Sequence, residues 1–198
     1  MKRACLVALV IASLLSIPRK AFAQTPSYRA SDHLELGIWG EFYHFDQADL
    51  NLAGVDARLS GNVTPLLQLE AEMGYDFSRV FIEKSSNGVT TALTSARRID
   101  GLFGPKLETN HGPVRFFLTA KGGATSFGFS SLPVTFGNFF SSVGNLRTQD
   151  VIAEFYPGGG IEGFIGPIGL RVDVGDEMYF ANGTYHNFRL TFGPTIRF

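Results

Sequence analysis

Residues 186–198 read HNFRLTFGPTIRF. Phe188, Leu190, Phe192, Pro194, Ile196 and Phe198 are apolar, and Arg189, Thr191, Gly193, Thr195 and Arg197 between them are polar or small. A period of two over eleven residues makes a strand with one apolar and one polar face. The sequence stops on the aromatic Phe198, with no polar tail. A soluble sheet would bury the apolar face of such a strand. A membrane barrel would turn it outward. The rest of the chain has to choose.

The same alternation recurs in seven earlier segments. Leu34, Leu36, Ile38, Gly40 and Phe42 oppose Glu35, Gly37, Trp39, Glu41 and Tyr43; Ala53, Val55, Ala57 and Leu59 oppose Gly54, Asp56, Arg58 and Ser60. Leu67, Leu69, Ala71, Met73, Tyr75 and Phe77 oppose Gln68, Glu70, Glu72, Gly74 and Asp76. Further segments follow at 98–107, 114–123, 151–162 and 168–175. Eight is an even number, as bacterial single-chain membrane barrels use, and each segment is near the roughly 9–11 residues that cross a bilayer at a tilt. Connections 61–65, 110–112 and 166–167, after the even strands, are short; after the odd strands 46–50 is also short, but 78–96, 126–149 and 176–185 are long. Short turns on one rim and longer loops on the other fit a barrel whose termini share the short-turn rim.

Residues 1–23 read as a secretory signal peptide: Lys2 and Arg3, an uncharged run from 6 to 15, and the small-x-small site Ala21-Phe22-Ala23. That run is too short for a spanning helix, which needs about 20 residues. Residues 24–32 form a short polar lead, expected in the periplasm, and 33–198 the barrel. Cys5 lies before the apolar run, so the exported chain would carry no cysteine and no disulfide. Removing 1–23 takes four basic residues and no acidic one, from 17 against 18 to 13 against 18, a net charge of −5. No basic patch argues for nucleic acid. Twenty-three Gly and nineteen Phe, with no second long apolar run, indicate an all-β chain.

Volume and charge orient the faces. The apolar faces carry roughly thirty bulky side chains, too many for the interior of an eight-stranded barrel, which side chains or one small ligand already fill. A two-sheet sandwich could hold them. The polar faces carry Arg58, Arg98, Lys106, Arg115, Lys121, Arg171, Arg189 and Arg197. Turning these to lipid would cost about 2–4 kcal/mol each at mid-depth, roughly 15–20 kcal/mol in all, more than a typical domain's stability. Inside, they meet Glu35, Glu41, Asp56, Glu70, Glu72, Asp76, Asp100, Glu154, Glu162 and Asp173. The expectation is a paired, hydrogen-bonded lumen that acts as a plug. Pro105, Pro157 and Pro194 lie inside strands, and adjacent glycines suggest bulges there.

Chemistry is sparse. His44 with Asp46, and His186 near Asp176 and Glu177, fall at the outer ends of strands one and eight, where a lipid-modifying enzyme would need them. None of His33, His44, His111 and His186 is followed two residues on by serine, so no catalytic residue is assigned; no two His, Cys or carboxylate ligands neighbour one another at standard spacing, so no metal site or cofactor is assigned either. Phe42, Tyr43, Phe45, Tyr75, Phe77, Tyr179 and Phe180 read as interfacial girdles. Loop 126–149, with Phe127, Phe129, Phe136, Phe139 and Phe140, is either a contact surface or, in the favoured reading, a prolongation of strand five at 125–129.

The signal peptide, the eight segments, FGPKLE, YPGGGIEGF, GLRVDVG and the ending GPTIRF together resemble the small outer-membrane β-barrel family typified by the OmpA transmembrane domain and OmpX. The resemblance covers residues 33–198. It implies an all-β, eight-stranded antiparallel up-and-down transmembrane β-barrel in the outer membrane of a Gram-negative-type bacterium. The spacing Thr191-x-Gly193-x-x-Ile196-x-Phe198 resembles the terminal signal read by the barrel-assembly machinery. The expected partners are that machinery, outer-membrane lipid and lipopolysaccharide, and an external partner at loops 78–96 and 126–149. With the sequence ending at the barrel, no peptidoglycan-gripping domain is expected. The role expected is structural or surface-interaction and non-enzymatic; the alternatives are a narrow ion or small-solute pore, a lipid A-modifying barrel enzyme and, most distant, a soluble periplasmic barrel.

Overall fold

The structure, a computed structural model, describes residues 34–84, 91–109, 112–130 and 141–198. The signal and lead at 1–32, His33, His111, Phe136, Phe139 and Phe140 lie outside these. Eight antiparallel strands form one closed up-and-down barrel: β1 (Leu34–Phe45), β2 (Leu50–Thr64), β3 (Leu67–Lys84), β4 (Thr91–Glu108), β5 (Val114–Phe129), β6 (Ile152–Ile165), β7 (Ile168–Phe180) and β8 (Thr184–Arg197). The seam closes where β8 pairs with β1, from Glu35 opposite Arg197 to His44 opposite Phe188. Backbone bonds in both directions between Leu34 and Phe198 continue it to the rim.

The barrel is inside out. Leu36, Ile38, Met73, Phe103, Leu118, Leu170 and Phe192 face outward and are exposed, while the charged faces point inward and are buried. A soluble fold would reverse both, because exposing so continuous an apolar surface to water is unfavourable. A bilayer is the solvent that this exterior matches. The fold expected from alternation is the one observed.

The strands run 12–18 residues, longer than expected. Segment 78–96 is largely not a loop: β3 continues to Lys84 and β4 starts at Thr91. Residues 126–129 likewise prolong β5, and 176–185 reduce to a turn at 181–183 between β7 and β8. The pattern broke there because β3 slips its register between Asp76 and Arg79. That bulge exchanges the faces, so that Phe81 and Glu83 point inward and Val80 and Ile82 outward.

The prolines make no bulges, contrary to the sequence expectation. Pro105, Pro157 and Pro194 each keep continuous pairing on one side, with Leu69, Ala120 and Leu170 respectively. On the other side the ladder skips two positions and resumes in the same register. A missing N–H removes a bond without adding a residue.

Candidate functional site

The lumen concentrates the unusual chemistry. Of the eighteen charged residues expected there, all are buried except Arg197, which is half-buried at the terminal rim. They form two connected clusters.

Near the termini, Glu70 lies 2.6 Å from Arg171, 3.4 Å from Lys121, 3.6 Å from Arg58 and 3.8 Å from Lys106. Glu162 bridges Lys106 at 2.8 Å and Arg171 at 2.9 Å. Asp173 accepts from Arg171 at 2.6 Å and from the Tyr156 hydroxyl at 2.7 Å. At the rim Arg115 reaches Glu108 at 3.0 Å, and Arg197 reaches Glu35 at 2.9 Å. The cations also stack on lumenal rings: Arg58 on Trp39 at 4.0 Å, Arg171 on Phe117 at 3.8 Å and Arg197 on Phe164. A guanidinium held between carboxylates and a ring face is satisfied in plane and above it.

Towards the other rim, hereafter the mouth, Arg98 meets Glu41 at 2.5 Å, Asp76 at 2.6 Å, Asp100 at 3.0 Å and Glu177. It stacks on Tyr43, 3.7 Å from the ring centre. Arg189 meets Glu72 at 2.5 Å, Asp56 at 2.8 Å, Glu41 at 3.1 Å and Glu177 at 3.4 Å. Glu72 also accepts from Lys121 at 2.5 Å, which ties the two clusters together.

Above the charges sits an apolar cap. Phe45, Leu52, Phe81, Phe127, Leu146, Ile152 and Tyr179 form one buried cluster, with Phe45 and Phe127 stacked at 5.1 Å. Tyr43, Phe45 and Tyr179 therefore point inward and belong to no girdle, whereas Phe42, Tyr75, Phe77 and Phe180 do face outward. Segment 141–149, with the short helix α1 (Gly144–Arg147), lies across the mouth and delivers Val143 and Leu146 to this cluster. It is tied down on three sides. Arg147 pairs with Glu83 at 2.8 Å, Gln47 donates to the Ser142 carbonyl at 2.7 Å, and Asn145 donates to the Ala181 carbonyl at 2.9 Å. Eighteen-residue strands at about 3.3 Å per residue and a tilt near 45° rise about 40 Å, beyond a ~25 Å apolar band. Strands of this length outrun such a band, and towards the mouth the inside takes the apolar packing of a soluble protein.

Glu83, Glu108 and Glu177 complete the buried charge set and were not among the expected residues. Glu83 was hidden by the β3 bulge. Glu177 had been grouped with His186 at the rim, but it points into the lumen. His186 bonds Asp176 at 2.6 Å on the exterior, while His44 bonds Asn51 at 2.7 Å. The two histidines thus have separate partners, and neither of these contacts is a nucleophile–base pair. In the terminal stretch, Thr191 and Gly193 face inward, and Ile196 and Phe198 outward. A Cβ at Gly193 would collide with the Ile38 carbonyl and sit 2.8 Å from the Trp39 Cα, so glycine permits the close β1–β8 seam.

No protein-family model matches the sequence, and no curated protein matches it. Solved structures do. OprG of Pseudomonas aeruginosa is similar over 85% of this chain and 96% of its own, with a TM-score of 0.55 at 7% identity. Neisserial surface protein A is similar over 84% and 96%, with a TM-score of 0.53 at 9% identity. Ail, the attachment invasion locus protein of Yersinia pestis, is similar over 84% and 97%, with a TM-score of 0.50 at 17% identity. At such identities the likeness is one of fold. The chain therefore has the fold of the small eight-stranded outer-membrane β-barrels of the OmpA and OmpX type.

Proposed function

We propose that this protein is exported through the signal at 1–23 and inserted into an outer membrane, where it serves a structural or surface-interaction role without enzymatic activity. The observation that carries this reading is the filled interior: a buried charge network under an apolar cap, inside an exterior suited to lipid. A lumen so filled among the described residues argues against an open channel and against a catalytic cleft. Its work lies at the membrane surface and at the mouth.

Insertion would use the terminal signal Thr191, Gly193, Ile196 and Phe198, read by the assembly machinery, with outer-membrane lipid and lipopolysaccharide as surroundings. The paired strands β3 and β4 carry Val80, Ile82 and Leu93 on their outer face, with Ile82 opposite Leu93. That exposed apolar pair, rather than a loose loop at 78–96, is where an external partner or the upper lipid layer would touch the barrel.

The test combines location and conductance. The protein should fractionate with the outer membrane and change gel mobility only on boiling, and it should give no steady conductance above tens of picosiemens in planar bilayers. Steady openings would favour the pore. A soluble fraction with no mobility change would refute the membrane reading, and altered lipid A acylation on deletion would revive the enzyme.

A further inference from the structure

The two lumenal clusters differ in charge balance. Around Arg98 and Arg189 stand Glu41, Asp56, Glu72, Asp76, Asp100, Glu154 and Glu177, seven carboxylates against the two guanidiniums and the Lys121 ammonium that shares Glu72. A buried excess of four negative charges has to be met by protons or by a bound cation.

Three of these carboxylates converge. One oxygen each from Glu41 on β1, Asp56 on β2 and Asp100 on β4 lies within 4.8 Å of the others, all buried. Calcium–oxygen bonds run about 2.4 Å, so opposed ligands stand about 4.8 Å apart. Gly74 of β3 makes the room. A Cβ there would collide with Asp100 Oδ1 and lie 2.5 Å from Asp56 Oδ1, so both oxygens crowd one space above that glycine. Among the described residues neither accepts a hydrogen bond, nor does Asp100 Oδ2; Arg98 approaches Asp100 Oδ1 at 3.0 Å as an ion pair only.

Glu154 is a second, independent sign. It is 3% exposed, yet among the described residues both its carboxylate oxygens lack a hydrogen-bond partner and no basic group pairs with it. An unpartnered buried carboxylate facing other acids is costly unless something positive lies between them.

We propose that Glu41, Asp56 and Asp100 bind one hard divalent cation of the calcium class inside the barrel, with Glu154 adding charge from across the lumen. The all-oxygen donor set suits such an ion and not a thiophilic or imidazole-seeking metal. A double positive charge halves the local excess. Because the cap closes the mouth, the ion would enter as the barrel folds and leave slowly.

The experiment takes the protein purified from membranes in detergent, unfolds it in urea with EDTA, and refolds it with calcium chloride or with EDTA. The result expected is about one calcium per chain retained through gel filtration, and a higher urea midpoint for the calcium-refolded form. Asp100→Asn should lose both effects, and in EDTA its midpoint should be no lower than the parent's, since it removes a repelling charge. Glu35→Gln, near the termini, should keep both effects. Should Asp100→Asn not refold, as read by heat-dependent gel mobility, Asp56→Asn takes its place. Absence of retained calcium and of any midpoint change would overturn the site. So would calcium retained equally by the Asn variant, which would put it elsewhere, or a midpoint that responds to acid and not to calcium, which would assign the excess to protons.

Discussion

Replacing Arg98 by alanine is the sharpest probe of the plugged lumen. Arg98 is fully buried and holds Glu41, Asp76, Asp100 and Glu177 together. Arg189 still reaches Glu41, Asp100 and Glu177, but Asp76 pairs with no other basic group among the described residues. Truncation therefore orphans one buried carboxylate and leaves the other three to Arg189, which already holds Asp56 and Glu72. Removing one partner of a buried pair costs about 3–5 kcal/mol, because the other charge stays buried without compensation. The lost stacking on Tyr43 should place the effect at the upper end. With a urea slope of about 2 kcal/mol per molar, that is a fall in midpoint of about 2.5 M. Trp39, the single tryptophan, is buried in the lumen with Arg58 4.0 Å from its ring, so its fluorescence reports the opening. Adding Asp76→Asn to Arg98→Ala should recover part of the loss by removing the orphaned charge. A loss below about 1 kcal/mol would mean that water already fills this cluster, and would refute the dry plug.

Glu72→Ala should lower the unfolding midpoint more than Arg115→Ala, because Glu72 joins Lys121 and Arg189 whereas Arg115 sits at the terminal rim with Glu108; an unchanged midpoint for both would count against the network. Leu118→Arg, on an outward residue 69% exposed in the bare barrel, should cost about 2–4 kcal/mol in lipid if it lies at mid-depth, read by urea titration in vesicles. Leu146→Asp should release the segment across the mouth and make it sensitive to protease, while the lipid-embedded strands stay protected. Gly193→Val should block closure of the seam at Ile38 and Trp39, leaving a protein that shows no heat-dependent gel shift.

The legibility of this chain varied with depth in the barrel. Along the membrane-crossing parts, residue identity alone separated Arg171 from Val172 and Glu70 from Ala71, since a period of two has only two faces and the cost of charge in lipid picks between them. Beyond that depth the rule changed without a local mark. Tyr43 and Phe45 look like girdle residues by spacing, but they point inward into the apolar cap at the mouth. The bulge after Asp76 reversed the faces of β3 and hid Glu83, and no residue at 77–78 announces it. The prolines misled in the other direction. Their glycine neighbours suggested bulges, yet the strands absorb the lost bonds in register.

What the sequence by itself determined is the number of strands and, along the membrane-crossing stretches, which face of each turns inward, both from alternation and from the energy of charge in hydrocarbon. The antiparallel up-and-down order was what the family resemblance implied. What only the tertiary structure decided is which charges meet. Glu41, Asp56 and Asp100 come from three strands and are 15 and 44 residues apart along the chain. Their convergence above Gly74 depends on strand register and barrel closure, and these set distances that no local pattern encodes.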